Sequence, residues 1–262
     1  MRIFSYGGGV QSTAILVLAS QGIVEYDHFL FANVGEDSEH PDTLRYFYDV
    51  ALPFAKEHGL DLQEVRKYRD GEIETVKSRI FSTKKSTVIP VRLKKGQPGQ
   101  RSCTLDFKIR VVDRWVKEQV GNKPMTFYTG LGISTDEIHR AKAEPLKEVY
   151  VNLWKVIEYP LIDLRYSRNV CESIIAGAGL PVPPPSSCYF CPFHNDEAWY
   201  RIRQNQPELF EEAVNIERHI RSKGQDVWMH RKLIPLDKAI PDQPFLFDMY
   251  DMDNCESGYC FT

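Results

Sequence analysis

Short apolar stretches alternate with longer runs of helical periodicity through the first half of the chain. Met1–Ser5 (MRIFS) is apolar and runs into three glycines, which predicts a buried strand ending in a tight turn. Ser12–Gln21 (STAILVLASQ) is apolar on nearly all sides and predicts a buried helix closed by Gly22. Asp27–Asn33 (DHFLFAN) predicts a second buried strand. His40–His58 carries Leu44, Phe47, Val50, Ala51 and Phe54 at helical spacing and stops at Gly59. Leu60–Val65 reads as a third strand. A β-α-β-α-β opening of this kind predicts a doubly wound α/β fold, with a parallel sheet covered by helices on both faces.

Further along, residues 82–102 are polar, with Gly96, Pro98 and Gly99 near the end, and are expected to form a mobile loop. Thr104–Gln119 places Leu105, Ile109, Val112 and Val116 on one helical face. Met125–Gly130 (MTFYTG) is another strand ending at glycine. Tyr166–Ala176 is a helix, broken by Pro181, Pro183, Pro184 and Pro185. Two helical patterns follow, at 195–205 and 208–222. The remainder reads as irregular. The expected organisation is an α/β unit at 1–165 and a helical, cysteine-bearing region at 166–262 packed on the same core.

Composition narrows the classes. At 262 residues, 42% hydrophobic and 26% charged, the chain can bury a sizeable core, which excludes a disordered or fibrous protein. No apolar run approaches the roughly 18–20 residues that cross a bilayer. The opening MRIFSYGGG has no hydrophobic signal region, so a cytoplasmic protein is expected.

A formal net charge of -3 excludes a globally basic nucleic-acid binder, but the charge is uneven. Between Arg66 and Lys117 the chain carries fifteen Lys or Arg and five acids; after Lys238 it carries acids alone. The basic 77–110 segment is therefore either a solvated face or a surface for an anionic ligand or nucleic-acid backbone. The acidic tail can fold back over it.

Two constellations carry candidate chemistry. The first is Ser5-Tyr6-Gly7-Gly8-Gly9-Val10-Gln11-Ser12-Thr13, between the first strand and the first helix. Glycines let backbone N–H groups approach an anion, and the helix N-terminus adds partial positive charge. Ser12 and Thr13 add hydroxyl donors, which together make a phosphate cradle. The plainer reading is a tight βα turn. The segment is not a Walker loop, since no Gly-Lys-Ser or Gly-Lys-Thr follows, and it is not a dinucleotide fingerprint.

The second is Cys188-Tyr189-Phe190-Cys191-Pro192-Phe193-His194. Thiolates two residues apart can grip one metal centre in a turn. Zinc with His194 as an extra ligand is one reading, and a structural hydrogen bond from His194 is another. Cys103 sits at an expected helix start, where the dipole lowers a thiol pKa. Cys171 falls on the core side of its helix and reads as packing.

Taken in order, these segments resemble the N-type ATP pyrophosphatases and their sulfonucleotide (PAPS/APS) reductase-like members. Gly7-Gly8-Gly9-Val10-Gln11-Ser12 is similar to their Ser-Gly-Gly-x-Asp-Ser loop, with Gly7 in place of Ser and the uncharged Gln11 in place of Asp. Phe31-Ala32-Asn33-Val34-Gly35-Glu36-Asp37 resembles the strand end near the adenosine. His40-Pro41-Asp42-Thr43-Leu44 resembles the helix start that follows it. Arg101-Ser102-Cys103-Thr104-Leu105-Asp106-Phe107-Lys108 resembles Arg-x-Cys-Thr-x-x-x-Lys. Gly130-Leu131-Gly132-Ile133-Ser134-Thr135-Asp136-Glu137-Ile138-His139-Arg140 resembles Gly-Ile-x-x-Asp-Glu-x-x-Arg.

The resemblance implies a Rossmann-like, adenine nucleotide alpha hydrolase fold that binds ATP, with magnesium, at Ser5, Gly7, Gly8, Gly9, Gln11, Ser12, Thr13, Asn33, Gly35, Gly130, Gly132 and Asp136. Ser12, Lys108 and Arg140 would serve catalysis, the two cations meeting phosphate charge; surface ion pairs are the plainer reading of those cations. The order Cys103…Cys188-x-x-Cys191 resembles the 4Fe-4S ligands of APS reductases and DNA phosphorothioation proteins, with Cys255 and Cys260 as candidates for the fourth position and zinc as the alternative metal. A tail persulfide or transient disulfide is a further role for those two cysteines.

The implied activity is adenylation of an acceptor for sulfur transfer, with a nucleic-acid acceptor and a donor such as a cysteine desulfurase. Sulfonucleotide reduction and non-catalytic nucleotide binding are the alternatives. The oligomeric state stays open.

Overall fold

The computed structural model describes residues 1–82, 87–142, 146–224 and 226–240. Its centre is a sheet of β1 (Arg2–Tyr6), β2 (His28–Asn33), β3 (Leu62–Arg66), β4 (Met125–Leu131), β5 (Lys147–Tyr150) and β6 (Leu153–Glu158). The spatial order is β3-β2-β1-β4-β6-β5. All neighbours are parallel except β5, which pairs antiparallel with β6 at the edge. This is a mixed, mostly parallel α/β sheet of Rossmann-like type.

Strand alternation decides what each face buries. Phe4 and Tyr6 point toward α1 (Val10–Ser20), while Ile3 points to the opposite face. From Val10 to Leu18 every residue of α1 is buried, because α1 lies between the sheet and the helix Arg168–Gly177. That two-sided burial explains why α1 has no polar stripe. Ile15 and Leu16 are fully enclosed, each worth about 1.5–3 kcal/mol.

The opposite face is covered by a helical run over 102–120, whose Val111, Val112 and Val116 meet Ile3, Leu30, Phe127 and Leu153. A third cluster joins the helices Asp196–Asn205 and Pro207–Ser222 to Val88, Ile89, Val91, Phe107, Tyr189 and Phe190 around the enclosed Trp199.

Chain order reverses between β1 and β4: from β1 the chain moves outward to β2 and β3, then returns to lay β4 on the other side. In open parallel sheets the carboxyl ends of strands at such a switch point form a crevice for ligands. The turns at Gly7–Gly9 and Gly132 stand at those two ends.

Residues 82–102, expected to be a polar mobile loop, are more structured where described. Val88, Ile89 and Val91 are buried, and Arg92–Leu93 pairs antiparallel with Val227–Trp228. The 102–120 run also contains a π-helical turn, Leu105–Ile109, which rotates Lys108 inward.

Candidate functional site

The glycine turn is shaped by contacts that a side chain would obstruct. Gly8 has φ +76°, and a Cβ there would meet Thr43 Cγ2 at 2.9 Å. On Gly9 a Cβ would meet Ser186 Oγ at 2.8 Å, so the segment after the prolines lies across the turn. Ser12 Oγ accepts from Gly9 N–H at 3.1 Å and donates to the Gly9 carbonyl at 2.9 Å, closing the turn on itself. First-turn N–H groups of Val10, Gln11 and Ser12 emerge at the helix end. On the neighbouring strand, a Cβ on Gly132 would meet Gln11 C and Ser12 N at 3.3 Å. A hollow of about 60 Å3 results, lined by the turn, Gly132, Glu137, Arg140 and Ser186.

Of the residues expected to bind a nucleotide, Ser5, Gly7, Gly9, Gln11, Ser12 and Gly132 line this hollow. Others have different surroundings. Thr13 is fully enclosed and its hydroxyl meets Tyr6 Oη at 2.9 Å. A Cβ on Gly130 would strike Tyr26 Oη and Phe4, which explains that glycine by packing. Asp136 accepts from Arg168 N–H at 2.5 Å, at the start of the helix Arg168–Gly177. Its neighbour Glu137, which sequence reasoning passed over, faces the hollow and holds Arg140 at 2.5 Å. The backbone kinks at Glu137 within the short helical segment Thr135–Arg140, which carries both residues of the pair.

Asn33 Oδ1 accepts from Gly35 N–H at 2.8 Å, and Asn33 Nδ2 donates to Glu64 at 2.5 Å. Gly35, with φ +124°, packs against Thr75 and Asp37. The end of β2 is therefore a built turn, and Val34 between these residues forms a wall of the second site.

That second site brings together Cys103, Cys188 and Cys191 around a cavity of about 30 Å3, with Val34, Thr104 and Lys108. Cys103 comes from the start of the 102–120 run, and its N–H is fixed by the Val88 carbonyl at 2.9 Å. Cys188 pairs in an isolated antiparallel bridge with Glu39. Burial raises the Cys188 thiol pKa well above its ordinary value; the Glu39 carboxylate and the other two thiols raise it further, and Lys108 opposes them. Cys103 is likewise raised, first by burial and then by Cys191, so these outweigh the expected lowering by the helix dipole.

Glu39 is 2% exposed, and its Oε1 has no hydrogen-bond partner; Lys108 Nζ stands 3.8 Å away. Two buried thiols with raised pKa resist ionising together, and a metal cation would reverse that preference. Among the described residues, no three His, Cys, Asp or Glu groups stand at the spacing of a single ion. His194 Nε2 lies 2.9 Å from the Cys188 carbonyl, and burial lowers its pKa to about 4. It braces the cysteine turn, as the structural reading expected. Cys171 is buried in the core. Cys255, Cys260 and the acidic tail lie outside the described residues.

One strap joins the two sites. Ser186 sits over Gly9, the Ser187 carbonyl accepts from His40 N–H at 3.3 Å, and Cys188 follows immediately. Lys108 and Arg140 are thereby separated: Arg140 faces the glycine hollow, Lys108 the thiols. On the outer side of the strap, a larger cavity of about 210 Å3 runs past Gly9, His40, Arg168 and Arg201.

Within the basic segment, carboxylates answer much of the charge. Lys77 pairs with Glu212, Arg79 with Glu74, and Arg110 with Asp106. Arg92 and Arg101 stack on Phe193. Among the described residues, no helix is long and apolar enough to cross a membrane. No protein-family model matches the chain, and no curated protein matches it.

Proposed function

We propose that the protein is an ATP pyrophosphatase-type enzyme of the sulfonucleotide reductase-like group, which adenylates an acceptor for sulfur transfer. The observation that carries this reading is the pairing of a backbone-lined turn at the sheet's switch point with a three-cysteine cavity, joined by the 186–188 strap. An acceptor oxygen attacks the α-phosphorus of ATP; an O–P bond forms, the α–β bond breaks, and pyrophosphate leaves. A sulfur nucleophile, provided by a partner such as a cysteine desulfurase, then displaces AMP.

The first-turn N–H groups hold phosphate oxygens, and Arg140, oriented by Glu137, meets the charge that builds on the phosphorus. Ser12 fixes the shape of the turn by bonding Gly9. Magnesium would enter with the phosphates, since the uncharged Gln11 replaces the acid of the related loop. Cys103, Cys188 and Cys191 would hold a 4Fe-4S cluster or zinc, and Lys108 would offset the thiolate charge. Such a cluster supplies a site for handling reduced sulfur when bound. The fourth position falls to Glu39 or to Cys255 and Cys260. Exposed lysines of the 77–110 segment, such as Lys94 and Lys95, are the contacts left for a nucleic-acid acceptor.

Pyrophosphate release from ATP by anaerobically prepared protein tests the reading. Wild type should release it, and Ser12→Ala should be slowed. Sulfite release from PAPS without pyrophosphate release from ATP would favour the reductase. Nucleotide binding with neither product would favour a non-catalytic module.

A further inference from the structure

A second cavity lies on the face of the sheet that carries the 102–120 run, beside the glycine hollow, and nothing in the adenylation chemistry above uses it. Its volume is about 130 Å3, and Ser5, Leu131 and Arg140 line both spaces. The register explains its floor. Ser5 pairs with Leu131, Thr129 with Ile157, and Phe127 with Lys155, so alternation turns Ser5, Thr129 and Lys155 toward the same helix.

Two observations point to a ligand. Thr129 is 4% exposed, lines the cavity, and its Oγ1 has no hydrogen-bond partner. A buried hydroxyl without a partner is costly, and a ligand acceptor removes that cost. The surrounding charge is also mainly positive. Lys155 Nζ stands 2.9 and 3.0 Å from the two oxygens of Asp113, a buried pair. Lys142 and Lys147 add exposed cations at the rim, and Arg140 closes the side shared with the glycine hollow.

We infer that this cavity is a second anion site, which takes one tetrahedral oxyanion of phosphate or sulfate type through Thr129 Oγ1, Lys142 and Lys147. The space is large enough for an oxyanion and the atoms attached to it. Its assignment to the co-substrate of an ATP-dependent reaction rests on the proposed function; the binding itself does not.

Calorimetric titration of inorganic phosphate into protein saturated with α,β-methylene ATP tests it. Phosphate should bind beside the analogue. Thr129→Val should weaken it about tenfold, and so should the Lys142→Gln/Lys147→Gln double variant. Without phosphate, Thr129→Val should melt no lower than wild type, because it removes an unpartnered hydroxyl; a structural role for that hydroxyl would lower the melting temperature. Methyl phosphate in parallel separates the sources: binding as tight as phosphate assigns the cavity to a group carried on an organic molecule, and weaker binding assigns it to the free ion. Displacement of phosphate by the analogue, or unchanged affinity in both variants, would overturn the site. Failure of the analogue to bind would count against the nucleotide reading alone, and the same variants titrated without nucleotide would still decide this cavity.

Discussion

The glycine hollow and the thiol cavity lie on one strap yet differ in how complete they are. Around the hollow, polar groups answer one another: Ser12 bonds both the N–H and the carbonyl of Gly9, and Glu137 holds Arg140. The thiol cavity holds groups that oppose one another: three cysteines, with ionisation disfavoured at Cys103 and strongly so at Cys188, beside the buried Glu39, whose Oε1 accepts no hydrogen bond. Backbone geometry builds the first site without a ligand. The second is a buried cluster of thiols that favours the neutral form, and the metal we propose there would reverse that preference. A site of fixed amides suits an anion that must come and go, whereas a site of buried sulfur suits a resident metal.

The sharpest way to break this contrast is to remove one sulfur. Cys188→Ser should lower bound iron or zinc roughly tenfold or more, measured by metal analysis of anaerobic preparations, while ATP binding stays. Equal loss of both would mean that the sites are not separable. A smaller effect is expected at the turn. Gly8→Ala places a Cβ against Thr43 at φ +76°, and should cost about 1 kcal/mol of stability and weaken ATP about tenfold, read by thermal melting and equilibrium binding. Its metal content should match wild type.

The smallest effect concerns the support of the thiol side. Hydrogen bonding from His230, then from Lys232, holds the Asp196 carboxyl well below the usual carboxylate range. A lowered folded-state pKa stabilises above the ordinary value and is lost as pH falls. Asp196→Asn should therefore cost about 1 kcal/mol at pH 7, and the difference from wild type should begin to shrink only as pH falls below about 4 and decline progressively from there, followed by denaturant unfolding.

Much of this architecture is legible in the sequence, because burial on two sides leaves a plain apolar record. Ser12–Gln21 anticipates α1, and His40–His58 anticipates the helical run 41–57. The β6 strand escapes, since Lys155 interrupts LWKVIE and is neutralised by Asp113 from a helix far away in the chain. β5 escapes because an edge strand with Lys147 and Glu148 reads as polar surface. At the site, the glycine turn and the three cysteines stand out by residue type alone. Ser186, Glu39 and Glu137 do not, for their positions follow from how strands and straps meet. The basic segment carries less unpaired charge than its composition suggests, as the partners Glu74 and Glu212 come from outside 77–110 and Asp106 from within it.

The claim on which the rest depends is that residues 186–188 run from the glycine turn to the thiol cavity, so that ATP in the turn shields Cys188 although each site holds its own ligand. Alkylation of Cys188 in metal-free protein, followed by mass spectrometry with and without ATP, tests it directly. ATP should slow the modification in wild type, and Gly8→Ala should need about tenfold more ATP for the same slowing. Saturating ATP that leaves the wild-type rate unaltered would contradict the account.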